Sequence, residues 1–272
     1  MNTTPPLFDR AALARNRARA NRADLFLHAV AVDEVQDRLA MVNRTFTDIA
    51  IVTPFPEIWA DFYPGAACVP DDDALDLAEA QFDLVVHGMC LHWANDPVGQ
   101  LIQCRRALRP DGLCITVALG GQTLSELRAA LAQAESLETG GLSPRVAPMA
   151  EIRDLGALLQ RAGFALPVAD SAVLTAKYRD MTHLMHDLRA MAETNAMATR
   201  LRHPTRRAVF ETAARLYRDA FSEPDNRIAA SFEIITLTGW SPSADQPKPL
   251  RPGSAQSRLA DALNTGEITL PD

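Results

Sequence analysis

The stretch DIAIVTPFPEIWADF, Asp48 to Phe62, decides how this chain is read. Ile49, Ala50, Ile51 and Val52 form a short apolar run of the kind that lies inside a parallel sheet, covered on both faces. In a nucleotide-binding α/β domain the turn after the first such strand is glycine-rich, because bare backbone approaches the ligand there. Here that turn reads Thr53-Pro54-Phe55-Pro56-Glu57. The run has the composition of a buried strand, while the turn lacks that of a cofactor loop. Its neighbours have to decide between them.

Upstream, VAVDEVQDRLAMV (Val30 to Val42) has helical spacing through Val35, Leu39 and Val42. Downstream, GAACVPDDD is a second short apolar run that ends in Asp71, Asp72 and Asp73. FDLVVHGMCLHW contains a strand, Phe82 to Val86, and DPVGQLIQCRRALRPDG predicts a helix from Pro97 that Pro110-Asp111-Gly112 ends. LCITVALGG predicts a strand stopped by Gly120 and Gly121. A helix follows with Thr123 as N-cap and Glu126 in capping-box register. PRVAPMAEIRDLGALLQRAGF predicts a turn and an amphipathic helix closed by Gly163, and LPVADSAVLTAKY a strand with a bend. The segment from Met181 to Phe221 is predicted helical, and IAASFEIITLTGW is a final strand.

Strands alternating with helices predict one doubly wound, mostly parallel α/β sheet of Rossmann-like type, with a helical insertion before the last strand. The expected organisation is an N-terminal helical segment (1–45) and an α/β domain (46–240) with its insertion at about 181–221. A Pro/Ser-rich tail of low expected order (241–272) follows.

Composition narrows the function classes. With 47% hydrophobic and 22% charged residues the chain has ample material for a core. A formal net charge of −7 argues against a general nucleic-acid binder. No apolar run approaches the roughly 18 residues of a membrane helix, and the N-terminus lacks a secretory apolar region. Cys68, Cys90, Cys104 and Cys114 form no C-x-x-C pair, so buried reduced thiols in a cytoplasmic protein are expected, with neither a zinc site nor a disulfide framework. Arg10, Arg15, Arg17, Arg19 and Arg22 predict a basic amphipathic first helix. It is either a solvated face or a contact for an acidic partner or an anionic lipid surface.

Ligands of open parallel sheets bind at the carboxyl ends of strands. Three such ends carry polar or aromatic groups: Thr53 to Glu57, Pro70 to Asp73, and His87-Gly88-Met89-Cys90-Leu91-His92-Trp93. The acidic end can accept hydrogen bonds from an adenine amino group or a ribose, or can simply cap the next helix. His87 and His92 flank a candidate cleft wall, but their spacing does not suit two metal ligands on one helical turn. His183 and His186 lack the glutamate of a zinc-protease helix and are expected at the surface or an interface. No G-x-S-x-G elbow or P-loop is present, and no general base stands out.

Three segments, FDLVVHGMCLHWANDP, ALRPDGLCITVALGGQTLSELRAAL and GGLSPRVAPMAEIRDLGALLQRAGF, resemble the S-adenosylmethionine-dependent methyltransferase fold. More closely, the chain is similar to the bacterial relatives of the mitochondrial respiratory complex I assembly factor that hydroxylates an arginine on a complex I subunit. LFDRAALARNRARA, DLRAMAETNA, FEIITLTGW and KPLRPGSAQSRLADAL fit the same group, so the resemblance spans nearly the whole chain. It implies S-adenosylmethionine as cofactor, held by Asp71 or Asp72 at the adenine. His87 completes the pocket edge, and His92 and Trp93 wall the transfer site. It also implies a protein client, such as a complex I subunit.

One region departs from the family pattern. There the first strand ends in an acid followed by Gly-x-Gly-x-Gly. In this chain Ile51 takes the acid's place, and Thr53, Phe55 and Glu57 take the glycines'. Pro54 and Pro56 remove two backbone donors. The chain before Asp71 also has little room for a helix and a further strand bearing a ribose-binding acid. Two functions are therefore expected in competition: an enzyme that methylates or hydroxylates a protein client, or a catalytically inactive binding or assembly protein on the same fold.

Overall fold

The structure is a computed structural model and describes residues 5–247. Helix α1 (Arg10–Arg17) is capped by Asp9, whose carboxylate accepts from the Ala12 amide. A 3-10 turn (Arg22–Asp24) leads into α2 (Phe26–Met41), which buries Leu27, Ala31, Val32 and Val35. Next come β1 (Ile49–Val52), the short α3 (Pro56–Ala60) with Pro56 in its first turn, and β2 (Ala67–Val69). β3 (Phe82–Gly88) is buried along its length and is followed by a 3-10 turn at Leu91–Trp93, then α4 (Pro97–Ala107) and β4 (Leu108–Leu119). The chain continues through α5 (Ser125–Thr139), α6 (Ile152–Arg161), β5 (Ala165–Tyr178), α7 (Met181–Ala190), α8 (Arg207–Phe221) and β6 (Ile228–Trp240).

The six strands lie in the order β2-β1-β3-β4-β6-β5. β1 pairs in parallel with β2 and β3, and β3 with β4, whereas β6 runs antiparallel to both of its neighbours. The doubly wound, mostly parallel sheet read from the sequence is what forms. Each strand feeds two layers, because successive side chains point to opposite faces. Ile51 joins Val32, Val35 and Trp59 on one face, while Ala50 and Val52 join Leu101 and Cys104 on the other. This two-sided burial explains why β1 reads as an uninterrupted apolar run. The N-terminal helices share the first of these cores, and the described chain through Pro242 is one compact unit. The next unit begins at Ser243, and only its residues 243–247 are described, so most of the tail and the KPLRPGSAQSRLADAL segment lie outside the described residues. No helix among the described residues is long and apolar enough to cross a membrane.

Several expected boundaries move for physical reasons. α4 ends at Ala107, before Pro110-Asp111-Gly112, since Arg109 precedes a proline and is steered to extended backbone. The Pro-Asp-Gly turn instead makes the irregular start of β4, where pairing jumps from Phe82↔Leu108 to Leu84↔Leu113 and Asp111 has φ +61°. The capping box does not form. Thr123 Oγ1 accepts from the Glu233 amide (3.0 Å), Glu126 accepts from Ser231, and Leu124 at the helix start is left-handed. Both polar side chains have found partners on β6. The helical segment from Met181 to Phe221 divides into α7 and α8, joined by the irregular residues 191–206.

Candidate functional site

The chain steps from β1 outward to β2 on one side and to β3 on the other, so the crevice between the carboxyl ends of β1 and β3 is the expected ligand position of such a sheet. In this protein its own side chains fill it. Thr53 is buried, and its hydroxyl accepts from the Phe55 amide at 3.2 Å. Phe55 turns inward and meets the His28 ring edge to face at 5.0 Å. Trp59 of α3 is fully buried and packs against Gly88, where an added Cβ would stand 2.4 Å from the indole. Residues 53–66 hold only the short α3, so β2 pairs directly with β1 and no further strand intervenes. Glu57 is exposed and offers only its carbonyl, to Arg22.

The acidic strand end is equally engaged. Asp71 is 1% exposed and receives Arg17 bidentately at 2.6 and 2.9 Å. Arg10 adds a contact to Asp71 Oδ2 (3.3 Å), another to its carbonyl (2.7 Å), and one to Asp72 Oδ1 (3.2 Å). Burial alone would push the Asp71 carboxyl up, but the two guanidinium groups outweigh it and hold it below the ordinary carboxylate range. Behind it, Gln100 donates to the carbonyls of Asp71 and Asp72 and accepts from His87 Nε2 at 2.9 Å. Burial lowers the His87 pKa, and its other nitrogen faces the Cys90 thiol. His87 is therefore an interior strut, which corrects its expected place on a cleft wall.

The residues at this corner do not fit S-adenosylmethionine in the family's pose. Asp71, expected at the adenine, is engaged by two arginines, and an indole packs against the backbone at Gly88, while β2 lies parallel beside β1 and runs into Asp71. Asp71 is turned to these arginines, while Asp72 is exposed and keeps one contact to Arg10. The basic first helix is shorter than expected, and Arg10 and Arg17 turn inward. Arg22 pairs with Asp61, which leaves Arg15 and Arg19 as exposed cations on this stretch.

A second corner is open. A cavity of about 510 Å³ lies among α5, the 144–149 loop, α7, the 193–205 loop and α8. Trp93 and Leu119 reach it from the sheet. Trp93 packs on Phe8 with ring centres 5.1 Å apart and donates its indole N–H to Glu193 Oε2 at 3.1 Å. His92 Nε2 meets the same oxygen at 3.3 Å, and its Nδ1 accepts from the Leu119 amide. Burial pushes the Glu193 carboxyl up, but His92, and after it His28 and Arg17, outweigh this and keep it below its ordinary value.

The structure thus separates the expected site residues. Trp93 lines the cavity and His92 backs it. Asp71, Asp72, His87, Thr53 and Phe55 belong to the closed corner. His183 and His186 are exposed on α7, and no group of metal-ligating side chains occurs among the described residues. Sequence reading missed Arg10, Arg17 and Glu193. A signal existed for the arginines, since two residues seven apart share one helix face. For Glu193 the signal was its place in DLRAMAETNA, one of the segments that carry the family resemblance.

Comparison with known proteins places the chain. A family profile described as a methyltransferase domain matches residues 12–116. The arginine-hydroxylase NDUFAF5 of Rattus norvegicus mitochondria is 37% identical over 83% of this chain and 67% of its own length. This chain belongs to that methyltransferase-fold family. The Danio rerio family member is 35% identical over 75% of this chain and 64% of its own length, so the chain spans about two thirds of these relatives. A malonyl-[acyl-carrier protein] O-methyltransferase of Xylella fastidiosa is 34% identical over 67% of this chain and 59% of its own length. Among solved structures, YcgJ of Bacillus subtilis aligns with 78% of this chain and 98% of its own, at 12% identity and a TM-score of 0.47.

Proposed function

We propose that this family member is a client-binding protein, of the assembly-factor kind, that works without S-adenosylmethionine in the usual pose. The observation that carries the reading is the closed corner: Arg17 and Arg10 on Asp71, and Trp59 against Gly88. Losing several ligand hydrogen bonds at roughly 1 kcal/mol each weakens a cofactor by two or three orders of magnitude. The 510 Å³ cavity serves as the client site, and a protein such as a respiratory complex I subunit is the proposed client. Contact with an anionic surface through α1 would rest on Arg15 and Arg19.

The competing reading, methylation or hydroxylation of a protein side chain, draws on the names of the relatives. Titration with S-adenosylmethionine and S-adenosylhomocysteine separates the two. A ligand present at 100 times its dissociation constant raises stability by about 2.7 kcal/mol. We expect no shift in melting temperature at millimolar concentrations of either compound. A saturable shift would sink the cofactor-independent reading.

A further inference from the structure

The mouth of the open cavity is positively charged, against the sign of the chain as a whole. The protein has a formal net charge of −7, yet residues 194–210 contain Arg200, Arg202, His203, Arg206 and Arg207 and no acid. This segment closes one side of the cavity and places Arg200, Leu201, His203 and Thr205 in its wall. One carboxylate, Asp9, serves both Arg200 (2.9 Å) and Arg202 (3.4 Å), so a cationic excess remains. Arg189, near the end of α7, also lines the cavity and is exposed. Among the described residues no acid pairs with Arg189 or with the exposed Arg206.

Below this rim the cavity is apolar. Its buried floor is made by Leu119, Leu124, Leu127, Leu131 and Phe232, a lining suited to apolar side chains. Glu193, also in the wall, does not reverse the sign of the mouth, because His92 lies 3.3 Å from it and offsets its charge, as do His28 and Arg17. Between floor and rim stand the half-buried Thr194 and Thr205. The Thr205 hydroxyl accepts from Arg145 at 2.9 Å and keeps its own proton to donate. Such hydroxyls can bond a peptide backbone, whereas an alkyl chain has nothing to offer them.

We propose that the cavity and its rim dock an acidic segment of the protein client with an apolar centre. Its apolar side chains fill the floor, while flanking aspartates or glutamates meet Arg189 and the loop from Arg202 to Arg206. Exposed arginines with no acid of their own gain a charge-assisted bond on docking without breaking an internal one. Cations placed on two elements, α7 and the loop before α8, suit a segment with several carboxylates better than a single anionic head group. The proposal rests on the reading of the cavity as the client site.

Trp93 lines the cavity, so the two-dimensional NMR signal of its indole N–H, followed in the intact protein, is the reporter. Three pools of blocked heptapeptides share central leucine, methionine or phenylalanine and differ in their flanks: aspartate and glutamate, asparagine and glutamine, or lysine. The acidic pool should move the signal saturably and bind about tenfold more tightly than the amide pool, which is 1.4 kcal/mol. That preference should shrink between about 0.1 M and 1 M salt. Arg189→Glu combined with Arg206→Glu should erase it while the melting temperature holds. Met185→Trp, which fills the cavity, should abolish binding of every pool. Equal binding of the amide or lysine pool would overturn this proposal and leave the client site standing, whereas no movement by any pool at millimolar concentration would overturn both. An undiminished preference in the double variant would also overturn it, as would dodecanoate binding more tightly than the acidic pool, the mark of a lipid site. Were the double variant not to fold, the pool ratio and its salt dependence in the unaltered protein decide.

Discussion

Two corners of the same sheet have met opposite fates. At the carboxyl ends of β1 and β3, where a doubly wound sheet receives its ligand, Asp71 and Thr53 have partners within the chain and the Trp59 indole packs against Gly88, its N–H buried without a partner among the described residues. At the end of β4, the cavity is open and a carboxylate there retains an unused oxygen. The difference shows that one sheet can hold a closed, self-bonded corner and an open one side by side. Closure stabilises: Trp59, Phe55 and the Asp71 clamp now contribute burial and ion pairing. The open corner keeps unfilled volume, while left-handed backbone occurs at both corners, at Met89 beside Gly88 and at Leu124 and Ala192.

The contrast can be broken most forcefully at Asp71. Replacing it with alanine leaves Arg17 and Arg10 without their shared carboxylate, and breaking a buried pair in this way costs about 4 kcal/mol. Urea unfolding of Asp71→Ala should show a loss of that order. If the loss is below about 1 kcal/mol, the clamp does not hold the corner closed and the comparison fails.

His28 offers a test that alters no residue. Burial lowers its pKa to about 4, from 6.5 in the unfolded chain. Between those values the unfolded chain binds the extra proton, so stability is complete above pH 6.5 and falls as the pH drops toward 4. The shift corresponds to about 3 kcal/mol. Unfolding midpoints measured from pH 7.5 down to 4 should decline, and His28→Leu should flatten that slope. An equal slope in the variant would mean that His28 is not sealed beneath Phe55.

The smallest effect belongs to the open corner. Met185 is half-buried on the cavity wall, so Met185→Ala should cost about 1 kcal/mol or less, well below the usual loss for a filled core position. A loss of several kcal/mol by thermal unfolding would show that the cavity wall is as tightly packed as the closed corner.

Much of this was legible in the sequence, for reasons that differ by element. β1 and β3 announced themselves as apolar runs because both of their faces are covered. The helix ending at Gly163 was legible from its stop signal, since the residue adopts φ +82° there. The loss of the glycine loop was visible too, as prolines and a phenylalanine where bare backbone is required. The capping box at Thr123 misled because local spacing is blind to β6, which lies more than a hundred residues away and binds both side chains. The roles of Asp71 and His87 misled for a related reason: polar residues at a strand end read alike whether they face a ligand or an arginine.

By itself, then, the sequence determined the sheet and its layers, and it set prolines and a phenylalanine in the turn after β1. Each of these follows from hydrophobic period and from residues whose backbone geometry is intrinsic. Only the tertiary structure decided which side chains closed the first corner and which came to line the second. Arg17 and Asp71 are 54 positions apart and His92 and Glu193 are 101, and no local rule pairs groups across such distances. Packing alone brings them together.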